Sequence, residues 1–353
     1  MKSRWTIPGV VLCLSLTLGA MAQSSGKQTE PPEPGLLARW FELQSAMVGF
    51  RYRLVENSRG ETTLNQGQHK EAFRARLRFD PQGKVTLNGL VSSGGGATSS
   101  WNDTGWGTGE TVTNLHLTQL YLALAPVKGL EIQYGGITAI RGKSTEITTY
   151  DVDNYMMGGR LSLRRPGELF FDEIAVTFSH LGDTRTPNIN KRFHRLAESN
   201  YHQFLVAKQV HDRVGVSVDY TFHEGRETLR QGVAVKLPES RVLDSLTFEA
   251  YERVDVQQDF GFAVHGEKAV HPRLRLGGGY ADIDRYYGGL NADRFDRGRR
   301  LFLVATVPLA PNLGLETFIQ RAVANDFPLS NRLRLDVIVT YNLVPALKQT
   351  GLF

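Results

Sequence analysis

The sequence predicts an all-β protein, a transmembrane up-and-down antiparallel β-barrel of about sixteen strands, within a range of about 14–18. Three observations carry this. Short segments of alternating apolar and polar residues recur from end to end. The connections between them alternate between short turns and long polar loops. And after the N-terminus no segment has the ~18 continuous apolar residues of a spanning helix.

The chain starts with Lys2 and Arg4, an apolar run from 7 to 18, and Ala20-Met21-Ala22. That is the layout of a secretory signal peptide over residues 1–22. Cys13, the only cysteine, lies inside it, so the exported chain carries no thiol. Residues 23–35, QSSGKQTEPPEPG, are polar and Pro-rich and read as a disordered periplasmic leader. Residues 36–353 form a single transmembrane domain. The formal charge is +5, of which Lys2 and Arg4 supply two, and so small an excess does not point to nucleic acid.

Strands are predicted at 46–55, 70–79, 84–92, 113–124, 129–139, 154–164, 170–181, 201–210, 214–223, 229–237, 245–254, 258–266, 273–283, 299–308, 313–323 and 331–343. Most match the ~9–11 residues of a tilted membrane strand. Turn-forming stretches such as DPQGK, APVKG, RRPGE, HDRVG, LPESR and APNLG close every second connection. Between them lie longer loops, among them ENSRGETTLNQGQ at 56–68, IRGKSTEITTYDVD at 140–153 and DRFDRGRR at 293–300. Pro345 ends the last strand and leaves a short tail.

AFRARLRF, residues 72–79, fixes which face is outside. Arg74, Arg76 and Arg78 alternate with Phe73, Ala75, Leu77 and Phe79. Backbone in lipid must be satisfied internally, so a strand-only chain spans a bilayer as a closed barrel with the apolar face outward. The arginines then point inward. VGFRYRL repeats the pattern with Arg51 and Arg53, and a symmetric first loop puts that pair beside Arg74 and Arg76. The same alternation turns Arg160, Lys236, Arg253, Arg273 and Arg275 inward, with the acids Glu131, Asp219, Glu249, Glu316 and Asp336. Ten cations against five acids leave the interior positive and predict a preference for anions. Asp336, being inward, is expected to tolerate arginine better than outward Leu335 or Val337. Tyr121, Tyr134, Tyr201, Tyr280 and Tyr341 are assigned to interfacial girdles.

The chain resembles the outer-membrane porins of Gram-negative bacteria in its signal peptide, its strand number, its sorted turns and loops, its aromatic-rich last strand and its terminal Phe353. The resemblance implies a wide pore for small hydrophilic solutes in the outer membrane, in contact with lipid and lipopolysaccharide, and admits a homotrimer. It also implies that the loop after the fifth strand folds inward, setting Glu146, Asp151 and Asp153 against the basic wall of Arg51, Arg53, Arg74, Arg76 and Arg78.

Two other classes stand beside this reading. One is a plugged or closed barrel acting as adhesin or receptor, in which loops dominate. The other is a barrel enzyme, which needs a nucleophile and base at the rim. The histidines come with no nucleophile motif, and Ser179 and His180 face opposite ways in one strand. No enzyme activity is predicted. DVDN at 151–154 lacks the spacing and closing Glu of a calcium loop, so no metal and no cofactor are predicted.

Overall fold

The computed structural model describes residues 39–97, 99–105, 113–144, 155–255, 260–284, 295–324, 327 and 330–349. Glu146, Asp151, Asp153, Phe353, the signal peptide and the leader lie outside them. Sixteen strands follow one another in the ring: β1 (Phe41–Asn57), β2 (Thr62–Arg78), β3 (Val85–Ser92), β4 (His116–Leu124), β5 (Leu130–Thr138), β6 (Tyr155–Arg164), β7 (Glu173–His180), β8 (Tyr201–His211), β9 (Val214–His223), β10 (Arg226–Lys236), β11 (Ser245–Arg253), β12 (Phe260–His271), β13 (Leu274–Ile283), β14 (Gly298–Ala310), β15 (Leu313–Ala322) and β16 (Asn331–Asn342). Each is antiparallel to its chain neighbours, and β1 pairs with β16 to close the barrel.

The turns follow local chemistry. Asp80 accepts backbone N–H groups of Gln82, Lys84 and Val85, which folds the β2–β3 corner. Pro311 and Asn312, the latter at φ 69°, form the two-residue corner between β14 and β15. These corners share one end of the barrel, here the turn end. At the other, the loop end, only Glu224 and Gly225, both at positive φ, join β9 to β10.

The first hairpin corrects an expectation. Residues 56–68 are mostly strand, and the corner is confined to residues 58–61. Their polar residues had signalled a loop, yet a ribbon rising beyond the bilayer needs no apolar face. The longer hairpin moves the register. Arg51 stands opposite Gln68 and Arg53 opposite Gln66, while Arg74 faces Ser45 and Arg76 faces Glu42. The two arginine groups are therefore not side by side. Gln68 and Arg74 are six residues apart on β2, about 20 Å of strand.

Burial alternates as a wet or packed interior and an apolar exterior require. Phe50, Tyr134, Phe178, Phe204, Phe248, Leu301 and Tyr341 are exposed on the outer face. The residues between them on the same strands include Arg51, Thr177, Gln203 and Glu249, all buried. A 3-10 helix, Ile189–Ala197, lies between β7 and β8, and a helical turn, Val344–Gln349, follows β16. No described helix is long and apolar enough to cross a membrane.

Candidate functional site

The inner wall carries the charge, and its two halves differ. Near the loop end, at the seam between β1 and β16, Arg53 Nε and Nη2 donate to both oxygens of Asp336, at 2.8 and 3.0 Å. Arg334 donates to the same carboxylate at 2.7 and 3.1 Å. Arg53 is 6% exposed, Arg334 4% and Asp336 2%. One carboxylate thus holds two buried guanidiniums across the closure of the ring, a pairing the sequence expectation for Asp336 did not include. Arg51, 3% exposed, donates to Gln68 at 2.8 Å and lies 4.6 Å from the ring centroid of Trp101.

Trp101 belongs to the β3–β4 connection, which folds onto this wall. Gln68 donates to its carbonyl at 3.2 Å. A Cβ on Gly49 would come within 3.0 Å of the indole, so the bare backbone at 49 makes the seat. Other connections also reach inward. Phe295, before β14, packs on Tyr251, Ala263, Ala281, Ile283, Phe302 and Phe318. Ala97 and Tyr155, and Ala97 and Thr184, are bonded through their backbones, tying three loop-end segments together. Arg192 of the 3-10 helix donates to the carbonyls of Tyr155 and Gly182. Outside the strands, Asp183 is held below the usual carboxylate range, first by the hydrogen bond from Arg195.

On other inner positions, Arg230 pairs with Asp219 at 2.6 Å. Among the described residues Arg160 donates to neutral partners, Thr177, Gln133 and the carbonyl of Thr138. Arg253 binds Asp255. Glu249 is fully buried.

The turn-end half is open. Arg74 donates to Gln119 at 2.7 Å, Arg76 to Asn88 at 3.0 Å and Arg78 to Glu42 at 2.7 Å. Arg76 also lies 3.7 Å from Glu42, and all three side chains of this group are more than a third exposed or close to it, at 38%, 35% and 38%. Arg275 meets Glu267 at 3.1 Å, Arg273 sits exposed on the β12–β13 corner, and Glu316 is half-buried on β15.

Two of the five tyrosines assigned to girdles face inward. Tyr121 shares the face of Gln119, and Tyr201 is buried against Met156. Tyrosine suits either environment, so type alone could not place them. Sequence reasoning also passed over Arg230, Arg300 and Arg334, whose parity in their strands was the available signal. It passed over Trp101 and Phe295 as well, for which loops offer no parity.

Among the described residues no cluster of three or more His, Cys, Asp or Glu could hold a metal. No family model matches the sequence, and no curated protein matches it. The fold does have solved counterparts. An engineered mutant of the Rhodopseudomonas blastica porin superposes with a TM-score of 0.54 over 86% of this chain and 99% of its own, at 12% identity. Salmonella typhi OmpF, in complex with daunomycin, gives a TM-score of 0.54 over 86% of this chain and 97% of its own, at 13% identity. The chain therefore has the sixteen-stranded barrel fold of these porins.

Proposed function

We propose that this protein is an outer-membrane porin, a water-filled channel for passive diffusion of small hydrophilic solutes with a preference for anions. The observation that carries the reading is the half-exposed wall of Arg74, Arg76 and Arg78 inside a sixteen-stranded barrel whose outside is apolar. A barrel of this size encloses an aqueous lumen, and its lining charge concentrates counter-ions. The apolar exterior suits lipid, with lipopolysaccharide at the outer leaflet, and the N-terminal signal peptide would direct export. The loop-end wall favours a second reading, a plugged barrel acting as receptor or adhesin, because Arg51, Arg53 and Arg334 are packed beneath inward connections. Planar-bilayer recording separates them. The porin gives stable conductance and, in a salt gradient, a zero-current potential on the anion side that shrinks as salt rises, since charges are screened over ~10 Å at 0.1 M. A refolded barrel without conductance favours the plug.

A further inference from the structure

The stretch after β5 runs inside the ring to β8, β9 and β10, three to five strands away. Gln203 on β8 donates to the carbonyl of Ile140 at 3.0 Å, and the backbone N–H of Lys143 donates to Ser217 Oγ on β9 at 2.7 Å. Ser144 follows onto β10, where a Cβ on Gly232 would lie 2.8 Å from its backbone nitrogen. The Lys143 side chain then runs along the wall, its Cε 2.7 Å from where a Cβ on Gly215 would stand. Two glycines of the wall thus make room for this one stretch of loop. Gly215 is one residue from the turn-end start of β9, so the ammonium is delivered into the open half.

The charges around it are unbalanced. Lys143 is half-buried and has no carboxylate within 4 Å among the described residues. Gly215 pairs with Ala234, and Lys236 lies two residues farther on the same face of β10, about 7 Å along the strand. Lys236 is exposed and likewise has no ion-pair partner among the described residues. Asp172, on the β6–β7 corner, accepts the N–H groups of Gln209 and Gly167, stays charged and offsets part of the Lys143 field from beyond 4 Å. In the ring, β10 is eight strands from β2 in either direction, so this pair faces the arginines of β2.

We infer that Lys143 and Lys236 form an anion-binding step in the turn-end half of the lumen, opposite Arg74, Arg76 and Arg78, and that it favours small dianions over monoanions. This rests on the porin reading and assigns its selectivity to a loop lysine. Two ammonium groups with no carboxylate within 4 Å among the described residues hold a dianion at both and a chloride at one, so the dianion lingers.

Sulfate and chloride are the probes. In bilayers with the wild-type chain, millimolar sulfate should reduce the chloride current several-fold more than the added ionic strength explains. Lys143→Gln and Lys236→Gln should each relieve that block, and Lys143→Glu should also move the zero-current potential toward cations. Lys143→Cys, refolded without residues 1–22 and so carrying a single thiol, tests charge apart from fold, because attachment of an aminoethyl group restores the cation and should restore the block. A wild-type anion preference and block that survive Lys143→Gln and Lys143→Glu would overturn the inference while leaving the porin reading intact. A wild-type chain that conducts without anion preference would remove both.

Discussion

Arg53 and Arg334 share Asp336 at the loop end, and Arg76 and Arg78 share Glu42 at the turn end. The groups are the same: two guanidiniums, one carboxylate, net charge +1. At the loop end the set is almost wholly removed from solvent, and at the turn end each side chain keeps about a third of its surface. The difference decides what each set does. Buried charges survive only while paired, so the loop-end set locks the β1–β16 seam. Exposed pairs contribute little to stability, so on the porin reading the turn-end set would act through the field it leaves in water. One residue type is thus structural in one half of the lumen and, on the porin reading, functional in the other.

The sharpest way to break this comparison is to remove Asp336. Asp336→Asn strands two buried guanidiniums across the seam and should cost about 3–5 kcal/mol in chemical denaturation of the refolded barrel. Asp336→Arg should do worse, since a third guanidinium would enter a space shared by two. A loss below ~1 kcal/mol would mean the seam is wetter than its burial implies.

Leu335, one residue away, tests the outer face. It pairs with Leu54 and Ile319 among apolar neighbours. Leu335→Arg should cost about 2–4 kcal/mol if the position lies near the bilayer midplane. Damage from Leu335→Arg exceeding that from Asp336→Arg would reverse the ranking of the two faces.

A third test concerns the loop-end connections. Asp183 is held below the usual carboxylate range first by its hydrogen bond from Arg195. A depressed carboxylate stabilises the fold above its unfolded value, and that contribution is lost as pH falls through the folded one. The 181–200 segment should therefore be equally protected at pH 7 and pH 5 and should loosen below ~4. Limited proteolysis with an acid-active protease reads this, and Asp183→Asn should abolish the pH dependence. Protection that already falls between pH 7 and pH 5 would mean that Asp183 is not what holds the segment.

The fold was legible because a membrane barrel writes itself twice, in the period-2 alternation and in the sorting of turns from loops. All sixteen strands were predicted near where they occur, and the inward parity of Arg74, Arg76 and Arg78 followed from the apolar residues between them. The vertical arrangement was not legible. Register depends on where the first hairpin turns, and ENSRGETTLNQGQ could be loop or ribbon on its composition. A few residues of slip separated Arg51 and Arg53 from Arg74 and Arg76. Burial was not legible either, because it is set by Trp101 and Phe295 arriving from loops whose landing points no alternation encodes.

Glu42→Gln is the gentlest of these changes and the one that isolates field from stability. Glu42 takes Arg78 at 2.7 Å and lies 3.7 Å from Arg76, with 38% of its side chain exposed. Exposed pairs of this kind are worth ~0–1 kcal/mol, so denaturation midpoints should barely move. The charge change, however, is a full unit in the open half of the lumen. Removing the acid frees two arginines to act on passing ions, so anion preference in a salt gradient should rise, most clearly at low salt where screening is weakest. The same substitution logic at Asp336 removes one negative charge as well, but there the missing partner should be felt as unfolding. If Glu42→Gln destabilised the barrel while leaving the zero-current potential unchanged, the turn-end arginines would be bracing the wall after all, and the contrast between the two halves would collapse into one structural role.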